Sequence, residues 1–488
     1  MSRHALLIAS ALAMTSSPGV DAAERPNILF IFADDLGYGD LASHGHPHVR
    51  TPNLDRLARE GVDFRQFLVA SGVCSPSRVA VMTGQYPARL NVHGHFARFD
   101  QNAVRGMPNH LPLDAPFVPR LLKDAGYATG HFGKWHLSGS PHDRQPNPRR
   151  YGIDRARVWT GPSPNAFAGV APKLRPDERL TGAALAWDTA DKLSPAATNH
   201  AVRFVRANAE RPWFVNLWLH ETHHVVSATE EERAEYPNVP EPQKTYLASV
   251  SRADRCVGEM LDLLDELGLA DDTLVVFSSD NGPENSQPNP DDKLYYSVGQ
   301  TGGRRGQKRS LYLGGINVPF LARWPSTLPA GLRDESTVIG GVDLFPTFLA
   351  AAGFSDEEIP DSDGENALPA LRGEDWTRSQ PLFWQWNAAR PTSPKDWPTL
   401  GVRDGRYTLV AATDDDDRSK VVRSELYDAV ADPGQTNDLS QSQPEVASRL
   451  IEAALAWERT LPESPRATVA DAPSRRRPNR ASEKSKSD

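Results

Sequence analysis

A short stretch around residue 74 combines a cysteine, a proline and an arginine in a spacing that suits a reactive group. Cys74 stands two residues before Pro76 and four before Arg78, at the predicted start of a helix that runs toward Met82. Proline is favoured in the first helical turn, where its missing N–H costs nothing. The helix N-terminus and Arg78, one turn on, would both favour negative charge at Cys74. The segment therefore predicts a site for an anionic nucleophile.

Two apolar runs that are far apart in the sequence each end in oxygen-bearing side chains. The first ends in Asp34 and Asp35, and the second, much later in the chain, ends in Asp280 and Asn281. A pair of aspartates alone is more often a turn or a helix cap than a metal site. Together the two pairs supply the all-oxygen ligand set that a hard cation such as calcium prefers.

Side chains that could bind an anion or move a proton follow two further apolar runs or lie in a glycine-rich loop. They are Lys134, His136, His220, His223, His224 and Lys308. Lysine carries a positive charge and histidine titrates near neutral pH, so the set could hold an oxyanion and transfer protons to or from it.

Apolar, β-rich runs alternate with stretches of helical periodicity along most of the chain. Strands are predicted over 27–33, 128–132, 213–219 and 274–279, and helices over 118–125, 246–267 and 342–352. The alternation predicts an α/β fold, a large sandwich whose central, mostly parallel sheet is flanked by helices. Ligands bind at the carboxyl ends of such strands, so the polar groups that follow the four runs are expected to meet in one site.

The pattern changes after about residue 375. A strand-like run (400–410), an acidic turn (414–417), a second run near Tyr427 and a helix near 444–460 predict a small C-terminal α+β subdomain. We divide the chain into a signal peptide (1–22), a catalytic domain (23–375), this subdomain (376–463) and a tail (464–488). The tail is polar, without aromatic residues, and is predicted to be disordered.

Composition restricts the compartment and the partners. Arg3, an apolar run over 5–14 and small residues near 22 predict a cleaved signal peptide, and hence an exported, periplasmic or secreted protein without a membrane anchor. The net charge of -9 argues against nucleic acid as a partner. Cys74 and Cys256 are the two cysteines of the chain, too few for a disulfide framework, although one bridge between them stays open.

The segment Cys74-Ser75-Pro76-Ser77-Arg78, followed by Thr83-Gly84, resembles the signature of type I, formylglycine-dependent sulfatases of the alkaline phosphatase superfamily. The resemblance covers about 25–457. It implies that a formylglycine-generating enzyme oxidises Cys74 to formylglycine (3-oxoalanine), whose hydrate attacks the sulfur of a sulfate ester. A bridged Cys74 would not require this spacing, so we favour the modified residue and interpret Cys256 as a buried helix thiol.

The same resemblance assigns roles to the other polar residues. It implies one calcium ion, with ligands from residue 74, Asp34, Asp35, Asp280 and Asn281. Lys134 and Lys308 would bind sulfate oxygens, His136 would be the base on the formylglycine hydroxyl, and His223 the acid for the leaving alcohol. The sequence departs from the family pattern at Val225, Leu313 and Asn317, where proline, glutamate and arginine are common.

The implied activity is the hydrolysis of sulfate esters, and the expected substrate is a sulfated small molecule or, more specifically, a sulfated oligosaccharide. An exported enzyme meets glycans, and five side chains could contact a sugar: His93, His95, Trp135, Trp159 and His224. Two alternatives stay open. One is a phosphonate or phosphate monoester hydrolase of the same superfamily, and the other is a non-catalytic protein that binds sulfated glycans, for which Cys74 would not be needed.

Overall fold

The computed structural model describes residues 25–140, 144–159, 187–224, 226–285, 297–386, 398–414, 417 and 419–462. The predicted signal peptide, the predicted tail and part of the predicted acidic turn lie outside the described residues.

Twelve strands run through the described part of the chain: β1 (Asn27–Ala33), β2 (Val62–Leu68), β3 (Ala128–Lys134), β4 (Arg155–Trp159), β5 (Trp213–Trp218), β6 (Thr273–Ser279), β7 (Phe320–Arg323), β8 (Leu332–Gly340), β9 (Leu382–Gln385), β10 (Leu400–Asp404), β11 (Tyr407–Thr413) and β12 (Val421–Asp428). The α-helices of the same part are α1 (Pro52–Glu60), α2 (Cys74–Thr83), α3 (Phe99–Val104), α4 (Val118–Asp124), α5 (Leu193–Ala207), α6 (Glu230–Ala234), α7 (Gln243–Glu266), α8 (Leu313–Ile316), α9 (Leu344–Ala351), α10 (Leu368–Leu371) and α11 (Pro444–Glu458). The three predicted helices are therefore confirmed as α4, α7 and α9.

Eight strands form one central sheet in the order β4-β3-β5-β1-β6-β7-β2-β8. All of them run parallel except β7, which is antiparallel to both neighbours. The predicted α/β fold with a mostly parallel central sheet is confirmed. The four strands predicted from the sequence, β3, β5, β1 and β6, are contiguous in this order, and every one of their residues is buried. Burial on both faces explains why they appear in the sequence as nearly unbroken apolar runs.

The core lies on both faces of this sheet. In β1, Ile28, Phe30 and Phe32 belong to one apolar cluster, whereas the alternating Leu29 and Ile31 belong to another. Helix α9 packs on the first face, where the ring of Phe348 lies 5.4 Å from that of Phe30. Helices α5 and α7 cover the second. Within the described residues, no helix combines the length and the apolar content needed to cross a membrane.

A second, antiparallel sheet has the order β12-β11-β10-β9 and carries α11, which confirms the predicted C-terminal α+β unit. The single strand predicted over 400–410 is wrong, because β10 and β11 form a hairpin in which Asp404 pairs with Tyr407. Gly405 permits the turn with a φ of 51°. The indole of Trp384 in β9 donates to the carbonyl of Val69 (2.8 Å), which ties this sheet to the segment before Cys74.

Candidate active site

The ends of three adjacent strands are held together by backbone hydrogen bonds. The N–H of Asp34, just after β1, donates to the carbonyl of Glu221 after β5 (3.0 Å). The N–H of Asp280, just after β6, donates to the carbonyl of Ala33 (3.2 Å), and Asp35 N–H donates to Oδ1 of Asp280 (3.1 Å). The parallel sheet thus brings the two predicted carboxylate pairs to one edge.

The predicted metal ligands lie together in this place. Asp34, Asp35, Asp280 and Cys74 each offer one ligand atom, and these atoms all lie within 4.8 Å of one another. Asn281 belongs to the same group, because its Nδ2 donates to Oδ1 of Asp35 (2.8 Å). The three aspartates and the asparagine are fully buried.

Two acceptor atoms of this cluster have no hydrogen-bond donor. Oδ1 of Asp34 and Oδ1 of Asn281 are buried and accept no hydrogen bond from the part of the chain that the structure describes. Buried acceptors are normally satisfied, and a bound cation satisfies them as well as a donor does. Asp34 also lies within 4.8 Å of ligand atoms on His220 and His223. Both unsatisfied acceptors are oxygens and belong to the group of Asp34, Asp35, Asp280 and Asn281. The ligand atoms of this group therefore fit a hard cation such as calcium best.

Three cations balance the three aspartates. Nζ of Lys134 lies 2.5 Å from Oδ2 of Asp34, and Nζ of Lys308 lies 2.5 Å from Oδ2 of Asp35. Arg78 donates to Oδ2 of Asp280 from Nε (2.9 Å) and from Nη2 (2.6 Å). A divalent cation would leave this site with excess positive charge, which an anionic substrate can balance.

Cys74 is the first residue of α2, as the sequence predicted, and only 3% of it is exposed. Burial raises the pKa of its thiol above the ordinary value and outweighs the opposing charges of Lys134 and Lys308. Burial thus disfavours the thiolate of the unmodified residue. One turn on, the guanidinium of Arg78 lies over the ring of Trp218, 4.8 Å from its centre, and is fully buried.

His136 and His223 both lie at this edge of the sheet. Nε2 of His136 contacts the carbonyl of Phe96 (3.3 Å), while its buried Nδ1 has no hydrogen-bond partner among the described residues. Nδ1 of His223 contacts the carbonyl of His224, and its Nε2 lies 3.9 Å from Oδ2 of Asp35. Burial lowers both histidine pKa values well below 6.5, reinforced by the charge of Lys134 at His136 and by that of Lys308 at His223. Both rings are therefore neutral at pH 7.

Sequence reasoning missed Glu284, which is buried beside the site. Its Oε2 lies 3.3 Å from Nζ of Lys308 and 3.4 Å from Nδ1 of His224, and its Oε1 accepts from Nη1 of Arg309 (2.7 Å). The available signal was its position four residues after Asp280, in the same segment that follows β6.

Two of the five residues expected to contact a sugar are corrected by the structure. Trp135 and Trp159 are each only 1% exposed, and the ring of Trp135 packs 5.5 Å from that of Tyr151 in the core. Both side chains are therefore part of the core and present no surface to a saccharide in this structure. An aromatic residue next to a site in sequence can still point into the core. His95 lies beside His136, with ring centres 6.1 Å apart. His224 stacks on His223, with ring centres 4.7 Å apart.

His93 and Cys256 lie away from these contacts. His93 is buried and lines a small cavity with Ser71 and Pro76. Cys256 lies buried within α7, and burial raises the pKa of its thiol to about 12. Both cysteines are free thiols, so the bridge between them is not formed.

The atypical residues of the Lys308 loop have their own contacts. Asn317, fully buried, accepts from Nε of Arg304 and donates to the carbonyls of Arg65 (3.1 Å) and Phe67 (2.9 Å). The N–H of Leu313 donates to Oε1 of Gln435 (2.7 Å), next to the second sheet. The loop is therefore fastened to β2 and to the C-terminal subdomain without the glutamate and the arginine of the family pattern.

Comparisons with known proteins agree with this geometry. The family model described as "Sulfatase" matches residues 26–354, and the one described as "N-sulphoglucosamine sulphohydrolase, C-terminal" matches residues 304–456. N-acetylgalactosamine-6-sulfatase of Canis lupus familiaris is 34% identical over 401 residues, which are 76% of this chain and 71% of the relative. Arylsulfatase A of Bos taurus is 31% identical over 479 residues, 91% of this chain and 89% of the relative.

A solved structure shows the same likeness in three dimensions. The crystal structure of Ps i-CgsB in complex with k-i-k-neocarrahexaose has a TM-score of 0.70 and 28% identity, and the match covers 89% of this chain and 92% of that one. The family match spans more than half of the chain. The chain therefore belongs to the sulfatase family of the alkaline phosphatase superfamily and is a sulfuric ester hydrolase.

Proposed function

We propose that the chain hydrolyses sulfate esters of carbohydrates, with formylglycine at position 74 and one bound calcium ion. The observation that carries the proposal is the meeting of Cys74 with three aspartates, two lysines and Arg78 in one buried, charge-balanced cluster. A protein that only binds sulfated glycans would not need a cysteine at the centre of such a cluster.

The state of Cys74 in the structure supports its modification. Its thiol is buried and its pKa is raised, so the thiolate fraction at neutral pH is small. The hydrated aldehyde would supply one hydroxyl that attacks sulfur and a second whose deprotonation releases sulfate. We propose a formylglycine-generating enzyme as the maturation partner that oxidises Cys74.

Calcium is proposed at the oxygen set of Asp34, Asp35, Asp280 and Asn281, together with residue 74. The ion would satisfy the two unsatisfied oxygens and would polarise the sulfate ester. Arg78 holds Oδ2 of Asp280, and so orients this carboxylate within the cluster.

The remaining residues have roles that follow from their contacts. With calcium beside the aspartates, the ammonium groups of Lys134 and Lys308 are placed to bind sulfate oxygens. Nδ1 of His136 has no partner and can accept the proton of the attacking hydroxyl. As the sulfur–oxygen bond to the alcohol breaks, His223 is proposed to deliver a proton to the leaving oxygen. Its ring must gain that proton after substrate binds, when the sulfate offsets the charge of both lysines.

The carbohydrate substrate is supported by what related proteins are named for. One relative is an N-acetylgalactosamine-6-sulfatase, and the similar crystal structure holds an oligosaccharide. His95 and His224, which lie beside the two catalytic histidines, are candidates for sugar contacts. We further propose that the protein is exported, in keeping with the apolar N-terminal run.

A panel of substrates tests the proposal. Protein coexpressed with a formylglycine-generating enzyme should release sulfate from at least one sulfated saccharide, with a higher kcat/KM than on a simple aryl sulfate. Hydrolysis of phosphonate or phosphate monoesters with a higher kcat/KM than that of any sulfate ester would support the phosphonate or phosphate monoester hydrolase alternative. Saccharide binding without any turnover by fully modified protein would support the non-catalytic alternative.

A further inference from the structure

We propose that Arg309, held by Glu284 at the mouth of the active site, binds a second anionic group of the substrate. The proposal rests on the proposed carbohydrate sulfatase activity and narrows its substrate class. The preferred saccharides would carry, besides the sulfate that is cleaved, a carboxylate or another sulfate.

The backbone of Arg309 is fixed beside the segment that carries Cys74. Arg309 has a φ of 72°, and its N–H donates to the carbonyl of Gly72 (2.7 Å). A Cβ at Gly72 would lie 2.5 Å from the carbonyl oxygen of Ser310, so a larger residue would push the two segments apart. This close approach places the arginine directly after Lys308 and next to the nucleophile segment.

One carboxylate separates the Arg309 guanidinium from the buried lysine. Glu284 accepts from Arg309 through Oε1 (2.7 Å), while its Oε2 lies 3.3 Å from Nζ of Lys308. His224 contacts the same Oε2. An anion on Arg309 and a sulfate on Lys308 would therefore lie within the reach of one saccharide.

The two cations differ sharply in exposure. The side chain of Lys308 is 4% exposed, whereas that of Arg309 is 57% exposed. Within the described residues, Glu284 is the one hydrogen-bond partner that the Arg309 side chain has, and a guanidinium has five N–H donors. The free donors form a planar fork that matches carboxylate and sulfate oxygens.

Glu284 orients Arg309 and leaves most of its N–H donors open. Lys308 is paired with Asp35 as well as with Glu284, so Glu284 is not the sole counter-charge on either Lys308 or the site. Its bond to Arg309 involves one guanidinium nitrogen and leaves the exposed side of the fork open. Burial alone would raise the pKa of Glu284, but the hydrogen bond from His224 and the two cations hold it below the ordinary value.

The test uses a saccharide whose second charge can be removed by a small chemical change. The probe is the disaccharide of a uronate and N-acetylgalactosamine 6-sulfate, compared with its uronate methyl ester. The formylglycine-containing enzyme should prefer the charged form by about tenfold to a hundredfold in kcat/KM. Arg309→Asn, in which asparagine tolerates the left-handed backbone, should remove most of that preference, and Arg309→Lys should restore part of it.

The control is Arg333→Asn, because Arg333 is equally exposed (59%) and pairs with Glu335 on β8, outside the site. It should keep the wild-type preference, and thermal melts should show that all variants are folded. Equal rates of the wild type on both forms, or equal losses on both in Arg309→Asn, would overturn the proposal. If no variant turns over either form, the binding of the disaccharide and of its methyl ester to Cys74→Ala is measured by calorimetry. Tighter binding of the charged form, lost when Arg309→Asn is added, would support the role of Arg309 even where the proposed activity fails.

Discussion

The floor and the mouth of the active site are built in different ways. The floor consists of Asp34, Asp35, Cys74, Arg78 and Asp280, each at most 3% exposed, and each aspartate is paired with a cation. The mouth consists of Glu284, Arg309 and His224, of which the side chains are between 10% and 57% exposed. A buried, fully paired floor suits the sulfate group that all substrates share, whereas the open mouth can distinguish the alcohols that carry it. Changes in the floor should therefore lower activity on every ester, and changes in the mouth should alter preference.

The largest effect is expected for Cys74→Ala. Without the nucleophile, sulfate release should fall by about ten thousandfold or more on aryl and saccharide esters alike. Initial rates on both ester types, with protein of unchanged melting temperature, check this. A variant that kept activity on one ester type would show that the floor is not shared.

A smaller loss is expected for Asp34→Asn, which removes one charge from the proposed calcium ligands. kcat/KM should fall at least about a hundredfold, and bound calcium, measured by elemental analysis, should fall with it. The matched control is Asp254→Asn, a change at a buried aspartate that accepts from the N–H of Leu54 (2.8 Å) away from the site. It should retain calcium. Equal calcium content in both variants would contradict the assignment of the metal to the floor.

His223→Ala should have an effect that depends on the leaving group. On a saccharide ester, whose alcohol is a poor leaving group, kcat should fall by about a hundredfold, because the alcohol leaves without a proton. On an activated aryl sulfate the loss should be much smaller. The ratio of the two losses is the measurement, and equal losses would remove His223 as the acid.

The smallest effect concerns a buried carboxylate outside both regions. Asp40 is fully buried and accepts from the hydroxyl of Tyr246 (2.6 Å), but within the described residues it forms no ion pair. Burial raises its pKa to about 7 from 3.8. Between these values the folded protein holds a proton that the unfolded chain has lost, so stability should decrease as pH rises from about 4 to about 7.

Asp40→Asn should remove the contribution of this carboxyl group to the pH dependence of stability, which is about a few kcal/mol at most. The check is the melting temperature of both proteins across this pH range. The wild type should lose more stability than the variant as pH rises. Parallel curves would mean that Asp40 is ionised despite its burial.

The sequence predicted four buried, mainly apolar strands of the central sheet and missed others, among them β2 and β8, which carry several charged residues. β2 contains Asp63 and Arg65, which pair with each other (2.8 Å), so a buried strand looked polar. β8 lies at the edge of the sheet and is largely exposed over its first residues, so its pattern is polar too. Apolar periodicity cannot reveal strands whose polar side chains are buried in an ion pair or lie at an exposed edge.

The site residues also divide into those that the sequence pattern predicted and those that it missed. The floor follows strand ends directly, so the topology of a parallel sheet was enough to bring its members together. Glu284 and Arg309 meet only through loop conformations that the sequence pattern does not specify. Trp135 shows the converse, since it lies between two proposed catalytic residues, Lys134 and His136, and points into the core. The division into domains at 376 and the individual catalytic roles remain predictions.

The central claim is that the modified side chain at position 74 performs the reaction. Preparations coexpressed with different amounts of a formylglycine-generating enzyme should contain different fractions of aldehyde in the peptide that carries Cys74, measured by mass spectrometry. Sulfate release per chain should rise in proportion to this fraction and extrapolate to zero when only the thiol is present. Substantial activity in a preparation whose residue 74 is entirely unmodified cysteine would contradict the account.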